Sequence, residues 1–322
     1  MKKRRWQKTV VILLCVIVST ALVFVLFAAV YGGYLLSLIG REDAVSTLSP
    51  DLTGPSLNEA DVTSPLSEES LPKNTRQINI LLIGQDRRPG ESRQRSDAMI
   101  LCCFDTRHKT VTMVSFLRDL YVQIPGYSAN KLNAAYAWGG MSLLKKTLEK
   151  NFHVPVDACM EVDFGGFRKV IDLVGGVDID LSREEAEHLN STNGWSLQAG
   201  SNRLDGKKAL AYARIRKLDS DFARTQRQRK VLTQLLRRCR KLSLPRLTAL
   251  LNSVLPLITT DMGNTQILGY AAALFPMLSR ADIRTLHIPP EGMYQDAWVD
   301  GQMVLMPDLS AIQALLNQKL MQ

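Results

Sequence analysis

The sequence predicts an α/β or α+β fold in which helices pack on a central sheet, preceded by one N-terminal transmembrane helix. Two observations predict it: short apolar runs alternate with helical patterns from residue 78 onward, and no charged residue occurs from Thr9 to Gly40. The 322 residues, 46% of them hydrophobic and 22% charged, are ordinary for a folded protein. Length alone allows one large domain or two small ones.

The apolar N-terminal stretch predicts a transmembrane helix over residues 9–39, since ~20 apolar residues cross a bilayer core. Residues 1–8 form a basic tail, which the positive-inside rule places in the cytoplasm. A cleaved secretory signal is the alternative, but the run is too long and no small-residue cleavage site follows cleanly. We therefore expect a single-pass protein of the cell membrane, with its main domain outside the cytoplasm.

Residues 40–76 are rich in Ser, Thr, Pro and acidic residues. Such a composition cannot bury a core and predicts a disordered extracytoplasmic linker. We assign residues 77–322 to one folded domain. The whole chain has a net charge of +9 although the linker is acidic, so this domain is basic and should attract polyanions.

The elements of this domain follow from its periodicity. An apolar strand at 78–84 precedes a hairpin of strands 98–105 and 110–117, with the polar turn "TRHK" between them. Further strands are predicted at 156–163, 177–181 and 282–289. Helices are predicted at 131–138, 142–152, 164–176 (ending at two glycines), 204–214, from near Asp221, twice after Pro245, and from Pro307 to the end.

The loop after the first strand, "GQDRRPGESRQRSDAM", is polar and contains Gly and Pro. In α/β folds ligands bind where such loops follow buried strands. Asp86 and Asp97, at its two ends, could hold a hard cation such as Mg²⁺, which takes one or two carboxylates plus waters and substrate phosphates. The alternative is a solvated charged loop with local ion pairs.

Two further clusters of polar residues follow predicted strands or begin helices. Arg118 comes after an apolar run and should emerge at a strand end, although a surface ion pair with Asp119 would explain it equally well. Lys131 and Asn133 stand at a helix start, and taken alone they are typical of caps and turns.

The stretch "YARIRKLDSDFARTQRQR" concentrates positive charge. Arg214 and Arg216 are two residues apart, so in an extended segment they face the same side. Asp221 is a suitable N-cap for the helix that follows.

On that helix, three polar residues fall within one sector of roughly 100°: Arg224, Arg227 and Gln228. Val231 and Leu235 continue the same face, which therefore begins basic and becomes apolar. This pattern predicts a cationic pocket beside an apolar channel. Arginine suits phosphate because its planar fork pairs bidentately and stays charged.

Other chemistries have little support in the sequence. The four histidines lie outside these clusters, and Ser115 has neither a nucleophile-elbow pattern nor an evident histidine partner. The cysteines form no CxxC pair or Cys/His spacing suited to zinc.

Six motifs occur in order: "GQDRR…RSD", "SFLRD", "KLNAAYAWGG", "VDFGGFRKVIDLVGGVDIDL", "LDGKKALAYARIRK" and "DSDFARTQRQR". Together, from about Ile78 to Leu236, they closely resemble the LytR-CpsA-Psr family of Gram-positive cell-wall enzymes. The resemblance implies an α-β-α sandwich around a central mixed sheet, with a long hydrophobic pocket for a lipid. It also implies a magnesium-dependent phosphotransferase that moves a phosphate-linked glycopolymer (teichoic acid, capsule or similar) from a polyprenyl pyrophosphate carrier onto a muramic acid hydroxyl of peptidoglycan.

The resemblance also implies roles for individual residues. Asp86, Asp97, Arg118 and Asp221 would be catalytic, with Asp86 and Asp97 linked to the metal, and Lys131, Asn133 and Arg227 would be supporting. Asp221 would either order the arginines or help to activate the acceptor hydroxyl. Gln85 departs from the family, which more often has a small hydroxyl residue there. The pyrophosphate would be bound by Arg88, Arg95, Arg118, Arg214, Arg216, Arg224 and Gln228.

Two alternatives to the transferase remain at the level of sequence. A hydrolase would use the same metal and arginines, with water in place of the acceptor hydroxyl. A nucleic-acid-binding attenuator is suggested by basic charge alone, but the predicted topology puts that charge outside the cytoplasm, and an aromatic platform for single strands is missing. We therefore expect the membrane and peptidoglycan as partners, and no nucleic acid.

Overall fold

A computed structural model describes residues 31–42, 77–85, 96–216, 218, 220–278 and 280–320. Its centre is a seven-stranded sheet with the order β1-β10-β7-β2-β3-β4-β11. Three two-stranded pairs, β5–β6, β8–β9 and β12–β13, flank it. The strands are β1 (Gly40–Arg41), β2 (Gln77–Gln85), β3 (Ala98–Asp105), β4 (Thr110–Phe116), β5 (Tyr121–Val122), β6 (Asn130–Lys131), β7 (Ala158–Asp163), β8 (Val177–Leu181), β9 (Gly200–Leu204), β10 (Ile258–Thr260), β11 (Asp282–Ile288), β12 (Tyr294–Val299) and β13 (Gln302–Pro307).

The sheet is mixed, as the family resemblance implies. β2 pairs antiparallel with β3 and parallel with β7, and β3 pairs antiparallel with β4, which confirms the predicted hairpin. β11 then adds parallel to β4.

Eight helices with defined bounds occur in the described residues, most of them between strands. They are α1 (Leu132–Phe152), α2 (Phe164–Leu173), α3 (Arg183–Asn193), α4 (Gly206–Ala213), α5 (Asp221–Cys239), α6 (Leu244–Val254), α7 (Asn264–Leu278) and α8 (Leu309–Leu320).

The sheet has helices on both faces because successive strand residues point to opposite sides. Leu81 and Ile83 belong to a core built with α1 and α8. Their neighbour Ile80 belongs to a second core that contains Leu274 of α7 and contacts α5. The fold is therefore an α-β-α arrangement, and a smaller apolar cluster joins α2, α3, α4 and the β8–β9 pair to α5.

The first helix is interrupted where the sequence has two glycines. Gly140 has φ 63° and ψ −152°, a backbone conformation that favours glycine, and the helix restarts immediately after it. The backbone N–H of Met141 there donates to the carboxylate of Glu42 (3.1 Å), so that carboxylate satisfies a donor of the restarted helix.

The structure differs from the predicted linker at its first residues. Gly40–Arg41 form β1, which pairs parallel with Thr259–Thr260 at the edge of the sheet. Residues 43–76 of the predicted linker lie outside the described residues, as do the basic tail and residues 9–30 of the predicted transmembrane helix. Among the described segments, none is a helix with the length and apolar character needed to span a bilayer.

Several elements have no counterpart in the sequence prediction: α3, β9, β10, the β5–β6 pair and the β12–β13 hairpin. α3 begins with a capping box in which Ser182 and Glu185 satisfy each other's backbone N–H, a sequence signal that was present in "SREE". The β12–β13 hairpin shows only a weak alternation of buried and exposed residues, because several of its side chains, including Trp298, are exposed.

Candidate active site

The candidate site lies at one edge of the central sheet. β2, β4 and β7 all end there, and antiparallel β3 begins there. Asp97, just before β3, is tied to the end of β2 by its N–H, which donates to the carbonyl of Gly84 (2.9 Å). Arg118, two residues after β4, emerges beside it. The pairing of the strands thus brings together two loops that are distant in sequence.

Asp97 is the centre of the charge network. Its Oδ1 accepts from Arg118 Nη1 at 3.0 Å and from Arg216 Nη2 at 2.9 Å. All three side chains are partly exposed, so the network is open to a ligand on one side. Charged hydrogen bonds to one carboxylate oxygen fix the direction of both guanidiniums.

The end of α4 and the start of α5 supply further residues of the site. Arg214 caps the C-terminus of α4, and its guanidinium stacks 4.6 Å from the ring centre of Phe164. Ser220, rather than Asp221 as predicted, is the N-cap residue of α5. Asp221 instead occupies the first turn, where its carboxylate is free to contact other side chains.

Arg224 is the most deeply buried charged residue of the site, with 2% of its side chain exposed. Its Nη2 donates to Asp221 Oδ2 at 2.7 Å and to the carbonyl of Asp97 at 3.4 Å. Its Nε and Nη1 make no hydrogen bond to any described residue. A buried guanidinium with two unused donors is costly, and it suits a site that receives an anion.

The buried surroundings alter the proton affinity of Asp221 and Arg224. Burial raises the pKa of the Asp221 carboxyl, and the neighbouring Arg224 and Arg118 only partly oppose this. Burial also lowers the pKa of Arg224, although Asp221 favours its charged form. An acid with a raised pKa in a cleft of arginines is a candidate for proton transfer.

An apolar cavity of about 280 Å³ opens behind these arginines. Arg214, Arg216 and Arg224 line its polar end, together with Asp97 and Gln228. The rest of the wall is almost entirely apolar and comes from β2, β3, β7, α2, α4, α5 and α6. Its members include Leu82, Ile100, Met160, Phe167, Leu232 and Val254.

The stripe of α5 that faces this cavity differs from the predicted one. Arg224, Gln228, Leu232 and Leu235 line it. Arg227 instead turns away: its Nε donates to Glu185 Oε1 at 2.8 Å and its Nη1 to the carbonyl of Ile215 at 3.2 Å. Val231 is likewise buried in the cluster around α2, α3 and α4. The helical projection could not distinguish the cavity side of α5 from the side that packs on α2, α3 and α4, because both sides are partly apolar.

Lys131 and Asp119 form a second layer behind Arg118. Lys131 Nζ donates to Asp119 Oδ1 at 2.8 Å, and Asp119 Oδ2 lies 3.5 Å from Arg118 Nε. Asn133 is nearly buried, and its backbone N–H donates to the carbonyl of Arg118 at 3.3 Å. The sequence analysis predicts supporting roles for Lys131 and Asn133, but it gives Asp119 only as a possible surface partner of Arg118.

Several predicted site residues lie outside the described part of the chain. They are Asp86, Arg88 and Arg95. Within the described residues, no group of three or more His, Cys, Asp or Glu side chains is arranged to hold a metal ion. Mg²⁺ needs only one or two carboxylates beside phosphate and water, so the carboxylate of Asp97 fits such a site as one ligand.

The structure places a histidine opposite Ser115, which the sequence left without an evident partner. His287 of β11 and Ser115 of β4 are register neighbours, but Ser115 Oγ makes no hydrogen bond to any described residue. Burial, together with Arg229, lowers the pKa of His287. These residues do not form an activated nucleophile.

The sequence analysis missed two aromatic residues at the site and one buried acidic partner. Phe164 supplies the ring under Arg214, and Phe167 lines the cavity beyond it. Both stand in "DFGGF", where the spacing of three places them on one side of a helix. Glu185, the partner of Arg227, gave a capping signal but no signal for a buried ion pair.

Comparison with known proteins identifies relatives of this chain. MsrR of Staphylococcus aureus, a regulatory protein by name, is 34% identical over 231 residues, which are 70% of this chain and 68% of MsrR. TagT of Bacillus subtilis, named a polyisoprenyl-teichoic acid–peptidoglycan teichoic acid transferase, is 39% identical over 173 residues, 52% of this chain and 54% of TagT.

Solved structures of TagT have the same fold. TagT bound to LIIa-WTA superposes with a TM-score of 0.65 and 29% identity, over 77% of this chain and 92% of that one. TagT with bound octaprenyl pyrophosphate lipid superposes with a TM-score of 0.60 and 27% identity, over the same shares of the two chains. The sequence model of the LytR_cpsA_psr family matches residues 51–320. The chain therefore belongs to the LytR-CpsA-Psr family.

Proposed function

We propose that this protein transfers a phosphate-linked glycopolymer, teichoic acid or a similar chain, from a polyprenyl pyrophosphate carrier onto a hydroxyl of peptidoglycan. The relatives support this activity, since TagT is a teichoic acid transferase by name and binds octaprenyl pyrophosphate. Chemically, the substrate combines an apolar chain with a group of several negative charges. The candidate site combines an apolar cavity with a cluster of arginines.

The buried guanidinium of Arg224 at the end of the apolar cavity is the observation that carries the proposal. It has donors left for an anion, and the cavity beside it has room for an apolar chain. Almost all of its surface is removed from solvent, so a nucleic-acid backbone on the protein surface could not reach it. A pyrophosphate whose lipid lies in the cavity would reach it.

In this proposal the arginines position the pyrophosphate and neutralise its charge. Arg214, Arg216 and Arg224 reach it from the cavity end, and Arg118 reaches it from the end of β4. Asp97 holds Arg118 and Arg216 in direction through its Oδ1. Phosphoryl transfer depends mostly on such positioning and on electrostatic stabilisation of the transferring group.

The reaction itself exchanges one bond at phosphorus for another. The acceptor hydroxyl oxygen bonds to the glycan-side phosphorus, the bond from that phosphorus to the bridging oxygen breaks, and polyprenyl phosphate leaves. The hydroxyl proton passes to Asp221, whose pKa is raised by burial and which lies against Arg224 and Arg118.

We propose Mg²⁺ as the cofactor, with Asp97 and Asp86 as its carboxylate ligands. Asp97 lies beside the arginines that would contact the phosphates, and Asp86 begins the loop that ends at Asp97. When bound, the ion would neutralise charge on the phosphate oxygens. Chelation with EDTA should then stop transfer, and added Mg²⁺ should restore it.

We further propose that the N-terminal apolar run anchors the protein in the cell membrane, with residues 1–8 in the cytoplasm and the domain outside. This location gives the domain access to both a membrane-bound carrier and peptidoglycan. The support is the uncharged run from Thr9 to Gly40 with its preceding basic cluster.

The proposed function is tested by incubating full-length protein with lipid-linked glycopolymer and peptidoglycan, and by measuring released polyprenyl phosphate and glycan on peptidoglycan. Arg118→Ala should abolish both products. Arg183→Ala is the matched control, because Arg183 pairs with Glu187 in solvent on α3 and should leave transfer unchanged. No products from the wild-type protein would refute the proposal, and polyprenyl phosphate release without transfer would indicate a hydrolase.

A further inference from the structure

The surface helix α7 is apolar on both its inner and its outer side. Its sequence "NTQILGYAAALFPML" contains no charged residue. Leu274 and Met277 are buried and pack on the sheet. On the outer side, Leu268 is 53% and Phe275 64% exposed.

These outer residues form a stripe rather than isolated exposures. Leu268 and Phe275 are two turns apart, and the exposed Ala271 and Ala272 lie between them on the same side. A surface helix of a soluble domain normally has a polar outer side. A continuous exposed apolar stripe instead marks a surface that contacts another apolar phase or partner.

The N-terminal segment reaches the domain next to this helix. Residues 31–37 are helical, and Tyr31 Oη accepts from Asn252 Nδ2 of α6 at 3.0 Å. Arg41 then donates to the side chain of Asn264, the first residue of α7. Arg41 is also the first charged residue after the apolar run. The start of α7 therefore lies beside the end of that run in space. Tyr31 and Tyr34 precede this point, and tyrosine is enriched at membrane interfaces.

The charges around α6 and α7 are mostly positive. Residues 230–282 contain seven Lys or Arg and two acidic residues: Asp261, whose carboxylate accepts from the N–H of Cys159, and Asp282, which pairs with Arg284. Arg237, Lys241, Arg246 and Arg280 are exposed around the two helices. Exposed cations beside an apolar stripe are the combination that binds an anionic lipid surface.

We infer that the outer side of α7 is a second membrane contact, which rests on the outer leaflet of a bilayer that contains anionic lipid. The inference depends on the proposed membrane anchoring, because the apolar run determines which edge of the domain faces the bilayer. Val254 at the end of α6 lines the apolar cavity. The contact therefore places one wall of the cavity close to the bilayer from which a polyprenyl chain would enter.

The contact is tested with full-length protein in vesicles of phosphatidylglycerol and phosphatidylcholine. A photoreactive benzophenone amino acid replaces Phe275 in one sample and Trp298 in the other. Trp298 is the matched control, because it is an exposed aromatic residue (76%) on the β12–β13 hairpin, which is not part of the sheet edge formed by β1. We expect lipid adducts at position 275 to exceed those at 298 several-fold. Equal yields at the two positions, a crosslink to a second copy, or a crosslink to the chain's own N-terminal segment would each overturn the inference.

A charge placed on α7 gives a functional test of the same contact. L268D with F275D should lower transfer from vesicle-embedded carrier roughly tenfold, because charged groups on this face oppose contact with an anionic leaflet. Transfer from a short-chain, water-soluble carrier should stay at the wild-type rate. Equal rates of the variant and wild type on vesicles would refute the contact. A wild-type protein that is inactive on both carriers would refute the proposed function. The crosslinking result would still decide whether α7 contacts the bilayer, because it does not depend on transfer.

Discussion

Arg224 and Arg227 are neighbours on α5 with the same chemistry and nearly the same burial, yet they serve different purposes. Arg227 is satisfied within the protein by Glu185 and the carbonyl of Ile215. Arg224 has one carboxylate partner, Asp221, and two donors with no described partner. The difference teaches that burial of a charge does not identify a functional residue. Arg224 is a functional candidate because its unused donors coincide with a place in the wall of the cavity.

The largest expected effect is on stability, at Arg227. Arg227→Met leaves the carboxylate of Glu185 buried without its cation, which costs about 3–5 kcal/mol for a buried pair broken from one side. Thermal unfolding of the full-length protein measures this as a lower midpoint. Combining Arg227→Met with Glu185→Gln should recover part of the loss, because no charge is then left unpaired. If Arg227→Met unfolds at the same midpoint as the wild type, the Arg227–Glu185 pair does not stabilise the fold.

The next effect is on catalysis, at Arg224. Arg224→Met should lower transfer by about 10²–10³-fold, the loss typical of one donor that stabilises charge in a transition state. The unfolding midpoint should change little, because the variant also removes a guanidinium that is incompletely hydrogen-bonded. Rate and midpoint are measured on the same preparation. A large fall in midpoint with an unchanged rate per folded molecule would place Arg224 in the same class as Arg227.

The smallest expected effect is on the pH dependence and rate of transfer, at Asp221, the carboxylate partner of Arg224. Because burial raises the pKa of Asp221, transfer should decline on acidification at a higher pH than an ordinary aspartate would produce, as protonation removes the base. Asp221→Asn should lower the rate roughly 10²-fold at neutral pH and abolish this acid limb. The pH–rate profiles of the two proteins measure both. An acid limb that persists in Asp221→Asn would mean that Asp221 only holds Arg224 in place.

Strand ends and helix stops could be predicted from the sequence because they depend on local patterns. The run Ile78–Gly84 and the two glycines at 175 and 176 are such signals, and the structure confirms both elements. The meeting of Asp97 with Arg118 also follows from a simple rule, since the predicted hairpin brings the start of one strand beside the end of the next.

The partners of residues on α5 could not be predicted in this way. The projection placed Arg227 and Val231 with Arg224, but Arg227 reaches Glu185, which is 42 positions away in sequence. Which side of the helix meets the cavity depends on where α2, α3 and α4 pack. No local pattern encodes that packing.

The sequence by itself determined the main strands of the central sheet, most of the helices, the family and the cluster of arginines, because periodicity, caps and motifs are properties of short segments. Only the tertiary structure decided that Arg224 lines the cavity with donors that have no partner among the described residues, which side of α7 stays apolar and exposed, and that Gly40–Arg41 joins the sheet at β10. These features depend on contacts between segments far apart in the chain, whose geometry is fixed only when the whole core packs together.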